Sequence, residues 1–357
     1  MQVDFLAGES HFLDHLYPIW EALPAELRGT ICLTQSGPSS TRPELLAEYA
    51  RDHQMQGVRA FDNRADLASF LMGRHGPVVT AAVIDLAVAS ISRRPQVFAE
   101  HGAGQSYSNR HCSYAGGEKH RDFVRLFLCP NEAAAARNRE YYPDVPALAI
   151  GCPKLDAWHR RPPKARTVPP VVALSFHWDC RVSPEARTTW PHYQRAIPGL
   201  AGEYRLLGHG HPRILPKLKP VYQHNGIEIA SDFRQVLERA DCYVCDNSST
   251  LYEFASLDRP VVVLNAPWYR REVEHGLRFW EAASVGVQCD EPGDLSAAIA
   301  TALRDAAKLR KARRAAVKLA YACCDGQAAE RAATAILEVD PGPEPIRPRR
   351  RSMRARD

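Results

Sequence analysis

At 357 residues, 45% hydrophobic and 24% charged, the chain has the composition of a globular protein of about two domains. No run approaches the roughly 18 apolar residues that a membrane span needs. The N-terminus MQVDFLAGES lacks the basic-then-apolar layout of a secretory signal, so a cytosolic protein is expected. The net charge of +5 sits in one place: RPRRRSMRARD (347–357) carries six Arg against one Asp, leaving the first 346 residues neutral.

In chain order, the first half alternates short apolar runs with helix-forming segments. Strands are expected at 3–7, 30–34, 77–85, 96–102 and 124–129, and helices near 10–23, 42–52, 63–73 and 131–142, the last capped by Asn131. HRRPPKARTVPP (159–170) reads as an exposed connection. After it the alternation restarts, with strands at 171–178, 204–210, 226–230, 242–245 and 260–264 and a helical block over about 293–338. Alternation of this kind means a parallel sheet covered by helices. The expected fold class is α/β: two doubly wound Rossmann-like domains, residues 1–165 on the acceptor side and 166–338 on the nucleotide side. A Pro/Arg-rich, disordered tail (339–357) follows. Ligands of such sheets sit at the carboxyl ends of the strands, where chemistry is to be sought.

The ten cysteines are scattered through apolar runs and read as reduced, buried thiols. Cys242 and Cys245 lie three apart in a strand and so face opposite ways, which argues against one metal taking both. No metal and no cofactor is expected.

The strand CYVC (242–245) hands over to Asp246, Asn247, Ser248 and Ser249, and a helix follows. Helix N-termini carry unpaired N–H groups and partial positive charge, and serine hydroxyls add donors, so this is a candidate phosphate seat. Glu253, about one and a half turns into the helix, suits a ribose hydroxyl pair. The plain alternative is an ordinary capped helix. In FAEHGAGQSY (98–107), His101 precedes Gly102 and Gly104, which let a substrate approach the imidazole, and histidine can take a proton from an alcohol. No G-x-S-x-G accompanies it, and Tyr107 breaks a G-x-G-x-x-G, so neither a lipase loop nor a dinucleotide fingerprint is read here. In LLGHGHPR (206–213), His209 and His211 follow a strand, and one of them, together with Arg213, is expected to point to phosphate oxygens. His177 and Asp179 of SFHWD (175–179) lie at another strand end, as possible support. Loop histidines satisfied by backbone are the alternative. GCPKLD (151–156) reads as architectural, with Asp156 seating the helix after it. No D-x-D occurs, so N–H groups, hydroxyls and cations would have to neutralise a diphosphate.

These stretches, in this order, resemble the CDP-glycerol glycerophosphotransferase family, which includes teichoic-acid primases and polymerases and has the two-domain glycosyltransferase-B architecture. The resemblance rests on HG (101–102), GCPKLD (151–156), HPR (211–213) and DNSSTLYEFASLDRPVVVL (246–264). It implies His101 as general base, and His211, Ser248 and Ser249 on the donor's phosphates. Asn247 stands where the family has Tyr, Glu253 where it has Asp, and Glu100 where a Trp often precedes the histidine. The long membrane-docking region of teichoic polymerases has no counterpart among these stretches, unless the Arg-rich tail serves. The same pattern is similar to UDP-N-acetylglucosamine 2-epimerases.

The expected function is therefore transfer of an alditol phosphate from a CDP-alditol to an acceptor hydroxyl, in cell-envelope polymer synthesis. The catalytic pair would be His101 and His211. The partners would be a nucleotide-activated donor, a hydroxyl-bearing acceptor and, through the Arg-rich tail, an anionic membrane surface or nucleic acid. The alternatives are a glycosyltransferase using a UDP- or GDP-sugar, an epimerase, and a non-catalytic nucleotide-sugar sensor.

Overall fold

The computed structural model describes residues 2–35, 41–103, 121–179, 187–246, 248–268 and 283–339. Gly104, Asn247 and the tail from residue 340 lie outside them. The described residues form two compact units, one from residues up to 103, 121–160 and 321 onward, the other from 161–320.

The first unit holds seven strands: β1 (Val3–Ala7), β2 (Arg28–Thr34), β3 (Val58–Phe61), β4 (Val78–Thr80), β5 (Gln96–Ala99), β6 (Val124–Cys129) and β7 (Ala147–Ala149). Their order is β3-β2-β1-β4-β5-β6-β7, all pairs parallel. The second holds β8 (Val171–Ser175), β9 (Arg205–Gly208), β10 (Glu228–Ile229), β11 (Cys242–Cys245), β12 (Val261–Leu264) and β13 (Val287–Cys289), in the order β10-β9-β8-β11-β12-β13, also all parallel. Central strands such as VDFLA and CYVC are buried along their whole length, as unbroken apolar runs must be when helices cover both faces of a sheet. In each sheet the strand order reverses once, between β1 and β4 and between β8 and β11. A crevice opens at such a reversal because neighbouring connections leave on opposite faces.

The fold class read from the sequence holds. Asn63 and Asn131 cap the Arg64–Met72 and Glu132–Tyr141 helices, each accepting the N–H three residues on. Two expectations change. The run 77–85 is not one strand: β4 stops at Thr80, and Val83–Ala89 is helical. The last helix, Ala328–Leu337, belongs with the first unit rather than with the domain that precedes it in sequence. Its Ala332 and Ile336 are buried in one core with Val3 and Phe5 of β1 and Leu13 and Leu16 of the Ser10–Ala22 helix. Asp156 anchors it, its carboxylate accepting the N–H groups of Ala328 and Ala329 at 3.1 and 2.7 Å. Asp156 thus seats a helix 172 residues further on rather than the one that follows it.

Candidate functional site

In the first unit, His101 stands two residues beyond β5 and is half-buried. Its Nδ1 lies 2.5 Å from the carbonyl of Ala81, just past β4. A carbonyl only accepts, so Nδ1 carries the proton and the neutral ring keeps its basic lone pair on Nε2. The two residues that follow are held. Gly102 has φ +79, a conformation that favours glycine, and Asn131 Nδ2 donates to the Ala103 carbonyl at 2.8 Å. Glu100, where the family often has Trp, accepts from Asn138 Nδ2 at 2.6 Å. An imidazole oriented by a backbone carbonyl through one ring nitrogen is the kind of arrangement a general base uses.

The sequence reading missed the company His101 keeps. His11 and His15, one helical turn apart on the Ser10–Ala22 helix, bring their rings to 5.8 and 6.3 Å from it, and Phe12 to 4.7 Å. The helix follows β1, so these residues stand at the strand-order reversal of this sheet. His15 is 5% exposed, with Nδ1 3.9 Å from Cys152 Sγ. Burial, then the charge of Lys154, holds it well below the usual histidine range, so it is neutral. The i, i+4 spacing of the two histidines was the available signal.

In the second unit, the chain ends of β8, β9 and β11 gather at the other reversal. Asp246 is fully buried and belongs to the scaffold. Its carboxylate accepts the N–H groups of His177 at 2.6 Å and Thr189 at 2.9 Å, and the hydroxyls of Thr188 and Thr189 at 3.3 Å each. It ties the loop after β8 to the end of β11, so its carboxylate, expected among the phosphate-binding residues, is engaged by the protein's own donors. Burial outweighs those donors and raises the carboxyl from 3.8 to about 6.

His209 is buried as well. It is 8% exposed, its Nδ1 lies 2.9 Å from Ser175 Oγ, and its ring packs on Phe233. Asp179 accepts the N–H of Thr188 and so staples its loop. His211, His177, Trp178 and Arg213 do come together. The rings of His177 and Trp178 lie 5.3 and 5.7 Å from that of His211, and the Arg213 guanidinium sits 4.4 Å over Trp178. Arg213 N–H donates to His211 Nδ1 at 3.2 Å, which leaves the proton of the neutral ring on Nε2, as a donor. An exposed guanidinium beside imidazole donors suits an anion.

Ser248 and Ser249 are half-buried at the start of the Thr250–Ala255 helix. Ser248 Oγ accepts from Thr250 Oγ1 at 2.8 Å and from Thr250 N–H at 3.3 Å. Glu253 is 1% exposed on that helix, flanked by buried Tyr252 and Phe254. The hydroxyls at the start of the helix are thus part-exposed, while the Glu253 carboxylate is buried.

The two parallel, doubly wound units place the chain in the glycosyltransferase-B fold class. Solved structures agree across nearly the whole length. The UDP-GlcNAc 2-epimerase from Neisseria meningitidis bound to UDP-GlcNAc is 13% identical, with TM-score 0.63, over 95% of this chain and 100% of that one. The wall teichoic acid polymerase TagF, soaked with CDPG, is 12% identical, with TM-score 0.63, over 94% and 88%. The S. aureus MnaA–UDP structure is 15% identical, with TM-score 0.58, over 92% and 94%. At these identities the likeness is one of fold. No curated protein sequence matches the chain. Residues 193–338 match the family model described as CDP-Glycerol:Poly(glycerophosphate) glycerophosphotransferase. The resemblance expected from HPR and DNSSTLYEFASLDRP is therefore borne out over that segment, which contains His211, Arg213, Ser248 and Ser249.

Proposed function

We propose that the protein is a transferase that moves a glycerophosphate-like group from a CDP-alditol donor to an acceptor hydroxyl. The observation that carries this reading is the glycerophosphotransferase match over 193–338, the segment in which His211, Arg213 and the serine turn stand at strand ends of one sheet. On this reading His211 Nε2–H, Arg213, Ser248 and Ser249 neutralise the donor's phosphates, and His177 and Trp178 back His211. His101 Nε2 takes the proton of the acceptor hydroxyl. The oxygen attacks the donor's β-phosphorus, the bond from that phosphorus to the bridging oxygen breaks, and CMP leaves with the electron pair. Fixed cations and hydroxyls then replace water around the developing charge without having to reorganise.

The experiment is CDP-glycerol turnover onto poly(glycerophosphate) by wild type and His101→Ala, with donor affinity measured alongside. Turnover should fall by at least about a thousandfold, the combined scale of general-base loss and mispositioning, while donor affinity stays within a few-fold. Intact turnover in the variant would remove His101 from the mechanism.

Among the described residues no helix is long and apolar enough to cross a membrane. A cytoplasmic location is proposed, with the arginines of 347–357 as the contact to an anionic lipid surface. Deleting 347–357 should abolish salt-sensitive binding to anionic vesicles and leave turnover with a soluble acceptor unchanged. Unaltered vesicle binding would place the contact elsewhere, and transfer of the effect to DNA would name the other anionic partner.

A further inference from the structure

A chain of hydroxyls runs from the core of the second unit to Ser248. Tyr243 of β11 is wholly buried, and its phenol lies 2.9 Å from Thr250 Oγ1. Thr250 Oγ1 lies 2.8 Å from Ser248 Oγ, and the Thr250 N–H reaches that same serine oxygen at 3.3 Å. A serine hydroxyl has two lone pairs and one proton. With Thr250 occupying both lone pairs, the Ser248 proton is left to point outward. Thr250 in turn spends its proton on Ser248 and accepts from Tyr243.

We propose that Thr250 and Tyr243 are positioning residues that fix the Ser248 O–H as a one-way donor to an anionic phosphate oxygen. The proposal rests on the reading that Ser248 meets the donor's diphosphate. An anion at Ser248 selects the outward sense of all three hydroxyls, and each link polarises the next, so the terminal donor is stronger than a lone serine. The relay is also preorganised. Tyr243 is held in a central strand paired on both sides, with its ring stacked 5.3 Å from Phe254, so the orientation is set before a ligand arrives. It accounts for Thr250 at the first helical position, where a β-branched residue brings no advantage in helix propensity.

The test is calorimetric titration of the full-length protein with CDP-glycerol. Thr250→Val keeps the shape and removes the hydroxyl. It should weaken binding roughly five- to tenfold, the scale of one hydrogen bond to a charged group when it is misdirected rather than deleted. Thr250→Ser should restore binding to within about twofold of wild type, and Tyr243→Phe should lose less than Thr250→Val. The decisive readout is coupling: in a Ser248→Ala background, Thr250→Val should change affinity less than about twofold, because the residue acts only through Ser248. Equal binding by wild type and Thr250→Val, or the same loss with and without Ser248, would overturn the relay. If Thr250→Val does not fold, the same cycle run with Tyr243→Phe and Ser248→Ala decides the question on the same criterion. A wild type that binds neither CDP-glycerol nor CDP would overturn the donor reading together with the relay. Binding by wild type with no coupling overturns the relay alone.

Discussion

Asp246 shows what a residue can be at a strand end without touching substrate. Four donors converge on its buried carboxylate, which binds the loop after β8 to the end of β11 and so sets the position of Ser248 two residues on. Its raised pKa has a consequence for stability. Between pH 3.8 and about 6 the unfolded chain ionises at this group while the folded protein does not. The contribution to stability is full below 3.8, declines as pH climbs to about 6, and is flat above. That gap corresponds to about 3 kcal/mol. Urea unfolding of wild type and Asp246→Asn from pH 4 to 7 should therefore diverge, with wild type losing ground to the variant as pH rises. A constant difference would contradict the assignment. From the sequence, the type and spacing of these residues were legible and their direction was not. DNSS and HPR stand at strand ends as the sequence indicated, but nothing in one dimension says that Asp246 and His209 are buried while Ser248 and Arg213 are part-exposed or exposed. His11 and His15 escaped notice because the reading looked for polar residues after strands and glycines, and these stand on a helix face.

At the scale of elements, long buried strands and capped helices were readable because apolar runs and Asn caps are local signals. The short strands β3, β7 and β13 were not: each has three or four residues, and exposed positions interrupt its apolar pattern. The split of 77–85 into strand and helix is the ambiguity of an unbroken apolar run, which fits either a buried strand or a buried helix. The placement of the last helix depends on contacts that no sequence window contains. Gly151, next to that helix, has φ +92, and a Cβ there would stand 2.8 Å from the Cys323 carbonyl. Gly151→Ala should therefore destabilise the protein by about 1–3 kcal/mol, from backbone strain and the clash together. Ile336→Ala, which empties a fully buried site in the same core, should cost about 2–5 kcal/mol. Thermal or urea melts of both check this. A neutral Ile336→Ala would mean that the last helix is not part of the first unit's core.

At the scale of the whole molecule, two sheets of one architecture carry different chemistry at corresponding places. The first presents an imidazole oriented by a backbone carbonyl. The second presents hydroxyls, an imidazole N–H and a guanidinium. The fold is shared with epimerases and with a teichoic acid polymerase, so it does not choose between them; the match over 193–338 is what supports the proposed transferase reading. The proposed chemistry differs from glycosyl transfer in which bond breaks, and the released nucleotide records that. The decisive measurement is the nucleotide product formed from CDP-glycerol in the presence of poly(glycerophosphate), resolved by chromatography. The account predicts CMP, in equal amount to glycerophosphate incorporated. Release of CDP, or no consumption of CDP-glycerol alongside conversion of a UDP-sugar, would contradict it.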